Sequence, residues 1–358
     1  MVAATQLLKF MAEQGASDLH ISAGEAPMIR LHGDLLRIDV AAFSVEEAHR
    51  VILEVMNDTQ RRAFQENLEV DFAYTMDERL RFRVNAFVHN RGEGAVFRNI
   101  PVNVPRMEDL GLPAAIRTMA DAEKGLVLVT GPTGSGKSTT LAAMIDYINT
   151  KMAGHILTLE DPIEFVHKSK RSLINQREIG SQSKSFSAAL RSALREDPDV
   201  ILIGEMRDIE TMSLALTAAE TGHLVFGTMH TSSAGGTVDR MIDTFPSEQQ
   251  GQVRSMMSES IVGVVSQMLL RKRGGGRVGA YEILVGTPGV RNIIREGKTH
   301  QIPSQMQVGG KFGMSTLENS VVELVNKRAI SLEDARERLP NSEVLNAMAA
   351  AQNAARSA

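Results

Sequence analysis

The stretch Val127-Leu128-Val129-Thr130-Gly131-Pro132-Thr133-Gly134-Ser135-Gly136-Lys137-Ser138-Thr139 decides the fold of this chain. Its apolar, β-branched start predicts a strand, and the glycine-rich turn that follows leads straight into a helix-forming segment. This is the phosphate-binding loop pattern G-x-x-x-x-G-K-[S/T] in its strand–loop–helix setting. Glycines let backbone N–H groups surround a phosphate, and the start of the following helix attracts negative charge. We therefore expect a nucleotide-binding site rather than an ordinary glycine turn.

Two side chains of this loop have predicted roles in binding ATP and Mg²⁺. Lys137 is expected to reach the β- and γ-phosphates and to act in catalysis, while the Ser138 hydroxyl is expected to contact Mg²⁺. The residues predicted to bind the nucleotide are Gly131, Pro132, Thr133, Gly134, Ser135, Gly136, Lys137, Ser138 and Thr139.

Composition excludes several classes of protein. The 358 residues include no cysteine, which rules out disulfides, cysteine-bound zinc and iron–sulfur clusters. A formal net charge of −4 gives no overall attraction to nucleic acid. No apolar run approaches the roughly 18 residues of a membrane span, and the N-terminus lacks the features of a signal peptide. We expect a cytoplasmic protein without a transmembrane segment, related to a membrane only through partners.

Residues 1–100 read as a small α+β domain rich in antiparallel strands. An amphipathic helix is followed by the alternating strand Ser17–Ser22, and a hairpin is predicted to turn at His32-Gly33-Asp34. Residues 44–65 are predicted to form one helix capped by Ser44. Three more strands are predicted, at residues 71–74, 80–87 and 94–100. Prolines then indicate a linker over residues 101–112.

Residues 113–358 alternate strands and helices, which predicts an α/β domain with a mostly parallel sheet covered on both faces. Residues 247–270 and 287–346 are predicted to be mainly helical, with a flexible turn at Gly274-Gly275-Gly276 between them. The predicted strands are Leu126–Thr130, His155–Glu160, Val200–Ile203 and Leu224–Met229.

Acidic side chains follow two of these strands. Glu205 ends the apolar run Val200–Ile203, where an open α/β sheet binds ligands, and is a candidate to orient the water that attacks ATP. Glu160, Asp161 and Glu164 follow the strand before it and are candidate Mg²⁺ ligands, because Mg²⁺ prefers oxygen ligands. Glu164 is also a candidate catalytic carboxylate. The alternatives are a solvated acid in a turn for Glu205 and a charged loop for the others.

Histidine and arginine side chains complete the candidate site. His230 ends a predicted strand near the loop and could contact the γ-phosphate, whereas His223 starts that strand and reads more readily as structural. Arg81, Arg83 and Arg98 lie on strands of the first domain, and an arginine delivered to the γ-phosphate favours phosphoryl transfer. Ordinary surface charges on strands are the alternative reading of these arginines.

Together these motifs resemble the secretion ATPase superfamily, and within it the type IV pilus retraction ATPases. The resemblance rests on Gly15–His20, the loop at 131–139, an acidic box at 156–165, the strand ending at Glu205 and a histidine box at 222–232. It implies a PAS-like N-terminal domain, a RecA-like ATPase domain and a homohexameric ring. It also implies that arginines of a neighbouring subunit complete each site, and that the histidine-box strand lies between those of the loop and Glu205.

The segment Gly289–Glu296 resembles the C-terminal motif of the retraction ATPases, and the chain lacks the four-cysteine segment common in assembly ATPases. This resemblance implies a hexameric ATP-hydrolysing motor of pilus retraction and twitching motility that acts on a platform protein of the inner membrane. A PilU-like accessory ATPase or a type II secretion-type ATPase is the alternative, and a nucleotide-gated scaffold with little turnover is another. Three tyrosines and no tryptophan argue against a nucleic-acid partner.

Overall fold

The computed structural model describes residues 2–31, 33–77, 80–100 and 103–357, except for the side chains of residues 353–357. The chain divides into two compact units, Met1–Asn103 and Val104–Ala358. This division falls inside the predicted linker, whose first two residues, 101 and 102, lie outside the described residues. His32, in the predicted hairpin turn, also lies outside them.

The first unit is built on one antiparallel sheet. Within its described residues, six strands pair in the order β3-β2-β1-β6-β5-β4, so β6, the last of them in the chain, lies against β1 at the centre. Helices α1 and α2 contribute apolar side chains such as Leu8 and Ile52 to the core beneath it. The elements are α1 Ala4–Glu13, β1 Asp18–Ser22, β2 Met28–Leu31, β3 Asp34–Arg37, α2 Val45–Glu54, α3 Asp58–Asn67, β4 Glu69–Asp77, β5 Leu80–His89 and β6 Gly92–Ile100.

The single helix predicted for residues 44–65 is wrong, because two helices occupy this stretch. Ser44 caps the first of them as predicted, by accepting from the Glu47 backbone N–H. The Asn57 side chain accepts from the Gln60 N–H and starts the second helix, with the Gln60 side chain bonding back to the Asn57 N–H. This reciprocal capping box marks the start of a new helix at Asn57, and the preceding helix ends before it.

The second unit alternates strands and helices and ends in a helical region. It includes 3₁₀ turns at Thr299–Gln301 and Gly310–Phe312. Its other elements are α4 Ala114–Ala120, β7 Gly125–Thr130, α5 Lys137–Lys151, β8 His155–Glu160, β9 Leu173–Glu178, α6 Phe186–Ala193, β10 Val200–Ile203, α7 Ile209–Glu220, β11 Leu224–Met229, α8 Ala234–Asp243, α9 Ser247–Ser260, β12 Ile261–Arg271, β13 Arg277–Val285, α10 Pro288–Arg295, α11 Ile302–Val308, α12 Leu317–Asn326, α13 Leu332–Arg338 and α14 Glu343–Ser357.

Its described strands form a seven-stranded sheet in the order β13-β12-β7-β11-β10-β8-β9. Five neighbouring pairs, from β12 to β9, run parallel, and only the β12–β13 hairpin is antiparallel within the described residues. Leu126 and Leu128 of β7 pack into the core on one face, and Val127 and Val129 pack into the core on the other. The predicted α/β class with a mostly parallel sheet covered on both faces is confirmed.

The helical prediction for residues 247–270 is wrong after Ser260. From Ile261 the chain is the strand β12, which pairs with β7 on one side and β13 on the other. Three of its four β-branched residues, Ile261, Val264 and Val265, are buried in the sheet. An apolar run of this length fits a buried helix or a buried strand equally well by periodicity. The pairing with β7 decides between them.

Candidate active site

The phosphate-binding loop leaves β7 and enters α5 through glycines in left-handed conformations. Gly131, Gly134 and Gly136 have φ of 142°, 77° and 90°. A Cβ atom on Gly131 would lie 2.3 Å from the Gln267 carbonyl oxygen and 2.6 Å from Ser135 Oγ. Gly131 therefore needs glycine for both backbone conformation and space, whereas Gly134 needs it for its left-handed backbone alone. Gly136 is the N-cap of α5, so the helix N-terminus opens directly onto the loop.

Lys137 lies across this loop. Its Nζ atom donates to the carbonyl oxygens of Gly131 at 2.8 Å and Pro132 at 3.2 Å. Burial lowers the pKa of Lys137, and the nearby carboxylates of Glu205 and Glu164 act in the opposite direction. The structure thus brings the lysine and these two predicted carboxylates into one electrostatic cluster.

Glu205 follows β10 and is held by two basic side chains. Its Oε1 atom lies 2.5 Å from Arg207 Nε and 3.0 Å from His230 Nε2. Burial alone would raise the pKa of Glu205, but the hydrogen bonds and charges of Arg207 and His230 outweigh it and lower the pKa. A carboxylate kept ionised and oriented in this way can accept a proton from water.

The turn that carries Glu205 is fixed from the neighbouring strands. Thr228 of β11 donates from Oγ1 to the Gly204 carbonyl at 2.5 Å, and the Met206 N–H donates to the Thr228 carbonyl at 3.1 Å. A Cβ atom on Gly204 would lie 3.1 Å from the Leu159 carbonyl oxygen. Many phosphate-loop ATPases carry an aspartate at this position, and the close approach of β8 here explains the glycine.

The acidic box after β8 divides into one engaged carboxylate and two exposed ones. Glu160 accepts from Thr158 Oγ1 at 2.6 Å and Gln176 Nε2 at 3.1 Å, and burial raises its pKa. Asp161 and Glu164 are exposed. Glu160 is thus bonded within the chain, while Asp161 and Glu164 present their carboxylates to solvent.

The donor set suits a Mg²⁺ ion that is held largely by nucleotide and water. Among the residues the structure describes, no group of three His, Cys, Asp or Glu side chains could hold a metal by itself. Mg²⁺ sites on nucleotides need only one or two protein oxygens besides phosphates and waters. Ser138, in the first turn of α5, and the exposed Asp161 and Glu164 fit that requirement.

The two histidines lie at opposite ends of β11. His230 contacts Glu205, as described, whereas His223 Nδ1 lies 2.9 Å from the Ala218 carbonyl oxygen at the end of α7. The resemblance implied that this strand lies between those of the loop and Glu205, and β11 does pair with β7 and β10. The geometry therefore favours His230 over His223 as a site residue.

The three candidate arginines lie on the sheet of the first unit. Arg83 of β5 stands directly opposite Arg98 of β6. Arg98 Nε donates at 2.8 Å to Asp18, which is 4% exposed. Arg81 is half-buried and Arg83 is exposed. Arg98 is thus bonded within its own unit although its side chain stays 67% exposed, and the side chain of Arg83 is exposed as well.

Two residues near the loop were not identified from the sequence. Arg207 follows Glu205 by two positions, and its proximity to a strand-end carboxylate was a usable signal. Gln267 donates from Nε2 to the Ser135 carbonyl at 2.7 Å. It lies on β12, which sequence reasoning read as helix, so nothing local pointed to the loop.

No helix in the described part of the chain is both long enough and apolar enough to cross a membrane.

Comparison with known proteins identifies the family. A family model described as type II/IV secretion system protein matches residues 2–275. The type IV pilus retractation ATPase PilT of Pseudomonas aeruginosa is 59% identical over 334 residues, which make up 93% of this chain and 97% of that protein. A twitching motility protein of Neisseria gonorrhoeae is 57% identical over 321 residues, or 89% of this chain and 86% of that protein.

A solved structure agrees with this result. The crystal structure of the pilus retraction motor PilT with bound ADP has a TM-score of 0.89 and 46% identity, and the match covers 94% of this chain and 97% of that one. The resemblance to the secretion ATPases is confirmed along nearly the whole chain. This protein belongs to the family of type II/IV secretion system proteins.

Proposed function

We propose that this protein is an ATP-hydrolysing motor that powers type IV pilus retraction and twitching motility. The observation that carries the proposal is the 59% identity, over 93% of this chain, to a protein named a pilus retractation ATPase. The relative named a twitching motility protein, at 57% identity, supports the same function. The arrangement of Lys137, Glu205 and His230 around the loop supports ATP hydrolysis.

In this proposal the loop residues 131–139 bind the phosphates of ATP, and Lys137 neutralises charge on the β- and γ-phosphates. Ser138, Asp161 and Glu164 would hold Mg²⁺, and the ion would supply further charge neutralisation. Glu205 orients the attacking water and accepts its proton, while Arg207 and His230 keep its carboxylate ionised. Glu164 is the further candidate catalytic carboxylate, and its charge, like that of Glu205, partly offsets the effect of burial on the pKa of Lys137.

The active form in this proposal is a homohexamer whose sites are completed by arginines from a neighbouring subunit. Arg83 is the favoured one, because Arg98 is engaged by Asp18 and Arg81 is half-buried. We assign residues 1–100 to a PAS-like domain, 101–112 to a linker and 113–358 to the ATPase domain. The motor acts in the cytoplasm on a platform protein of the inner membrane, with no nucleic acid involved.

Fluorescently labelled pili in cells test this function directly. Cells whose only copy carries Lys137→Ala are expected to extend pili and fail to retract them, because the loop loses its phosphate-binding cation. Lys327→Ala, an exposed lysine on the surface of the helical region, is the matched control and is expected to retract normally. Normal retraction with Lys137→Ala would contradict the proposal and favour an accessory ATPase. An absence of any ATP hydrolysis by the purified wild-type protein would favour a scaffold.

A further inference from the structure

Gln267 lies on β12 where this strand passes the phosphate-binding loop. The parallel register pairs Val265 with Val129 and Ser266 with Thr130, so Gln267 falls level with the first loop residue. Its side-chain Nε2 donates to the Ser135 carbonyl at 2.7 Å across 132 positions of sequence. A distant strand thereby binds the middle of the loop.

The same residue also contacts both ends of the loop. A Cβ atom on Gly131 would meet the Gln267 carbonyl oxygen at 2.3 Å, and one on Gly136 would meet Gln267 Nε2 at 3.1 Å. Gln267 is therefore packed against the first glycine, the serine and the last glycine of the loop. The left-handed backbone of those glycines brings the loop against this one side chain.

Burying a glutamine here has a cost that packing alone does not explain. Gln267 is 4% exposed, and among the described residues its Oε1 atom is buried without a hydrogen-bond partner. Ser135 Oγ, in the residue that Gln267 binds, is likewise buried without one. An apolar side chain would fill a sheet position of this kind without leaving an amide oxygen unpaired. The buried amide of Gln267 therefore indicates that this residue acts on the loop.

We propose that Gln267 is a positioning residue that holds the phosphate-binding loop in the conformation that binds nucleotide. It acts through the Ser135 carbonyl and through its close packing against Gly131 and Gly136, without touching the reacting atoms. This role requires that the loop binds nucleotide, as proposed above, but it does not depend on which process the ATPase drives.

Replacement of Gln267 by methionine tests this role, because the side chain keeps its length and loses its N–H donor. Without the bond the loop occupies its binding conformation for less of the time, and the dissociation constant rises in proportion. We expect about tenfold weaker binding of a fluorescent ATP analogue by the full chain, the scale of one lost buried hydrogen bond. KM for ATP should rise similarly while kcat changes by less than about threefold, as for a residue that acts on binding.

Gln250→Met is the matched control. Gln250 also donates a side-chain N–H to a backbone carbonyl, that of Phe245 at 3.1 Å, but at the start of α9. It is expected to leave the dissociation constant within about twofold of wild type, since it does not change the loop. An equal loss of affinity in both variants, or an unchanged affinity in Gln267→Met, would overturn the proposal.

If Gln267→Met does not fold, the comparison is made with Gln267→Asn, which keeps the amide on a shorter stem. That variant is expected to bind several-fold more weakly, and wild-type affinity would overturn the proposal. The assay uses purified protein and no pili, so its outcome is separate from that of the retraction experiment.

Discussion

At the scale of single residues, the site depends on the charge state of Glu205. Its carboxylate is partly buried, which by itself would favour the protonated form, but Arg207 and His230 contact the same oxygen atom and reverse the balance. The pKa of Arg207 is raised in return, by its hydrogen bond and charge interaction with Glu205. The proposed general base is thus kept ionised by its neighbours rather than by its own exposure.

Arg207→Ala is expected to move the acid limb of the pH–kcat profile to higher pH. The wild-type pKa of Glu205 is lowered, so its carboxylate stays ionised as the pH falls, until the pH passes that lowered pKa. Without Arg207 the effect of burial weighs more, the pKa rises, and Glu205 takes up its proton at a higher pH. Steady-state ATPase assays across pH measure this.

Arg195→Ala serves as control, because this exposed arginine lies in the same unit and, among the bonds described, its side chain donates only to the Arg191 carbonyl. Its profile should coincide with that of the wild type. Coincident profiles for Arg207→Ala as well would mean that Arg207 does not set the protonation of Glu205.

At the scale of elements, α10 combines packing with an exposed surface. Val290 and Ile294 are buried in the core of the second unit, while Asn292 and Arg295 are exposed. Arg291 has a specific structural task, because α9 ends at Ser260 and β12 begins at Ile261 without a capping loop between them. The last carbonyls of a helix need partners, and Arg291 donates to those of Ser258, Glu259 and Ile261. Arg291, which belongs to the segment that resembles the retraction motif, therefore has a structural role.

Arg291→Ala is expected to lower the free energy of unfolding of the second unit by about 3 kcal/mol, because it leaves several helix-end carbonyls without their charged donor. Arg295→Ala, on the same helix, removes an exposed ion pair to Glu259 at 3.3 Å and should cost less than about 1 kcal/mol. Urea unfolding followed by circular dichroism compares the two. Equal losses would show that Arg291 does not support the end of α9.

At the scale of the whole molecule, one edge of the parallel sheet assembles the site. Because β7, β11, β10 and β8 run parallel, their carboxyl ends meet at the same edge. The loop, His230, Glu205 and Glu160 follow these strands in that spatial order, which differs from their order in the chain. The candidate arginines belong to the first unit, and the proposal that a neighbouring subunit supplies one of them rests on the resemblance to the secretion ATPases.

Mixing two impaired variants tests whether sites are shared between subunits. Glu205→Gln and Arg83→Ala are each expected to reduce turnover at least about a hundredfold, since one loses the base and the other the charge that stabilises the transition state. In randomly mixed rings about a quarter of the sites should combine an intact Glu205 with an intact neighbouring arginine. ATPase activity after mixing should therefore exceed that of either variant alone. Activity that merely averages the two would contradict an arginine acting between subunits.

Arg37→Ala provides the matched control, because this arginine is exposed on the edge strand β3 and contacts only Glu25 among the ion pairs described. It should leave turnover unchanged.

Local sequence was sufficient for the features that depend on backbone conformation and periodicity. The loop at 131–139 was predicted because its glycines require left-handed φ angles, and the buried strands β7, β8, β10 and β11 were predicted because a parallel strand covered on both faces reads as an apolar run. The positions of Glu205 and His230 at one sheet edge followed from the ends of those strands. The separation of α2 from α3 was also encoded in the local sequence, by the capping box at Asn57, but the prediction did not include it.

Tertiary structure decided the features that depend on which segments become neighbours. β12 became a strand because β7 offered a free edge for pairing, and only that pairing brought Gln267 to Ser135. Likewise, one of the hydrogen bonds to Glu160 comes from Gln176 on the neighbouring strand β9. The periodicity of a segment shows which of its faces is apolar. It does not show what packs against that face, because residues far apart in the chain together determine the order of strands in the sheet.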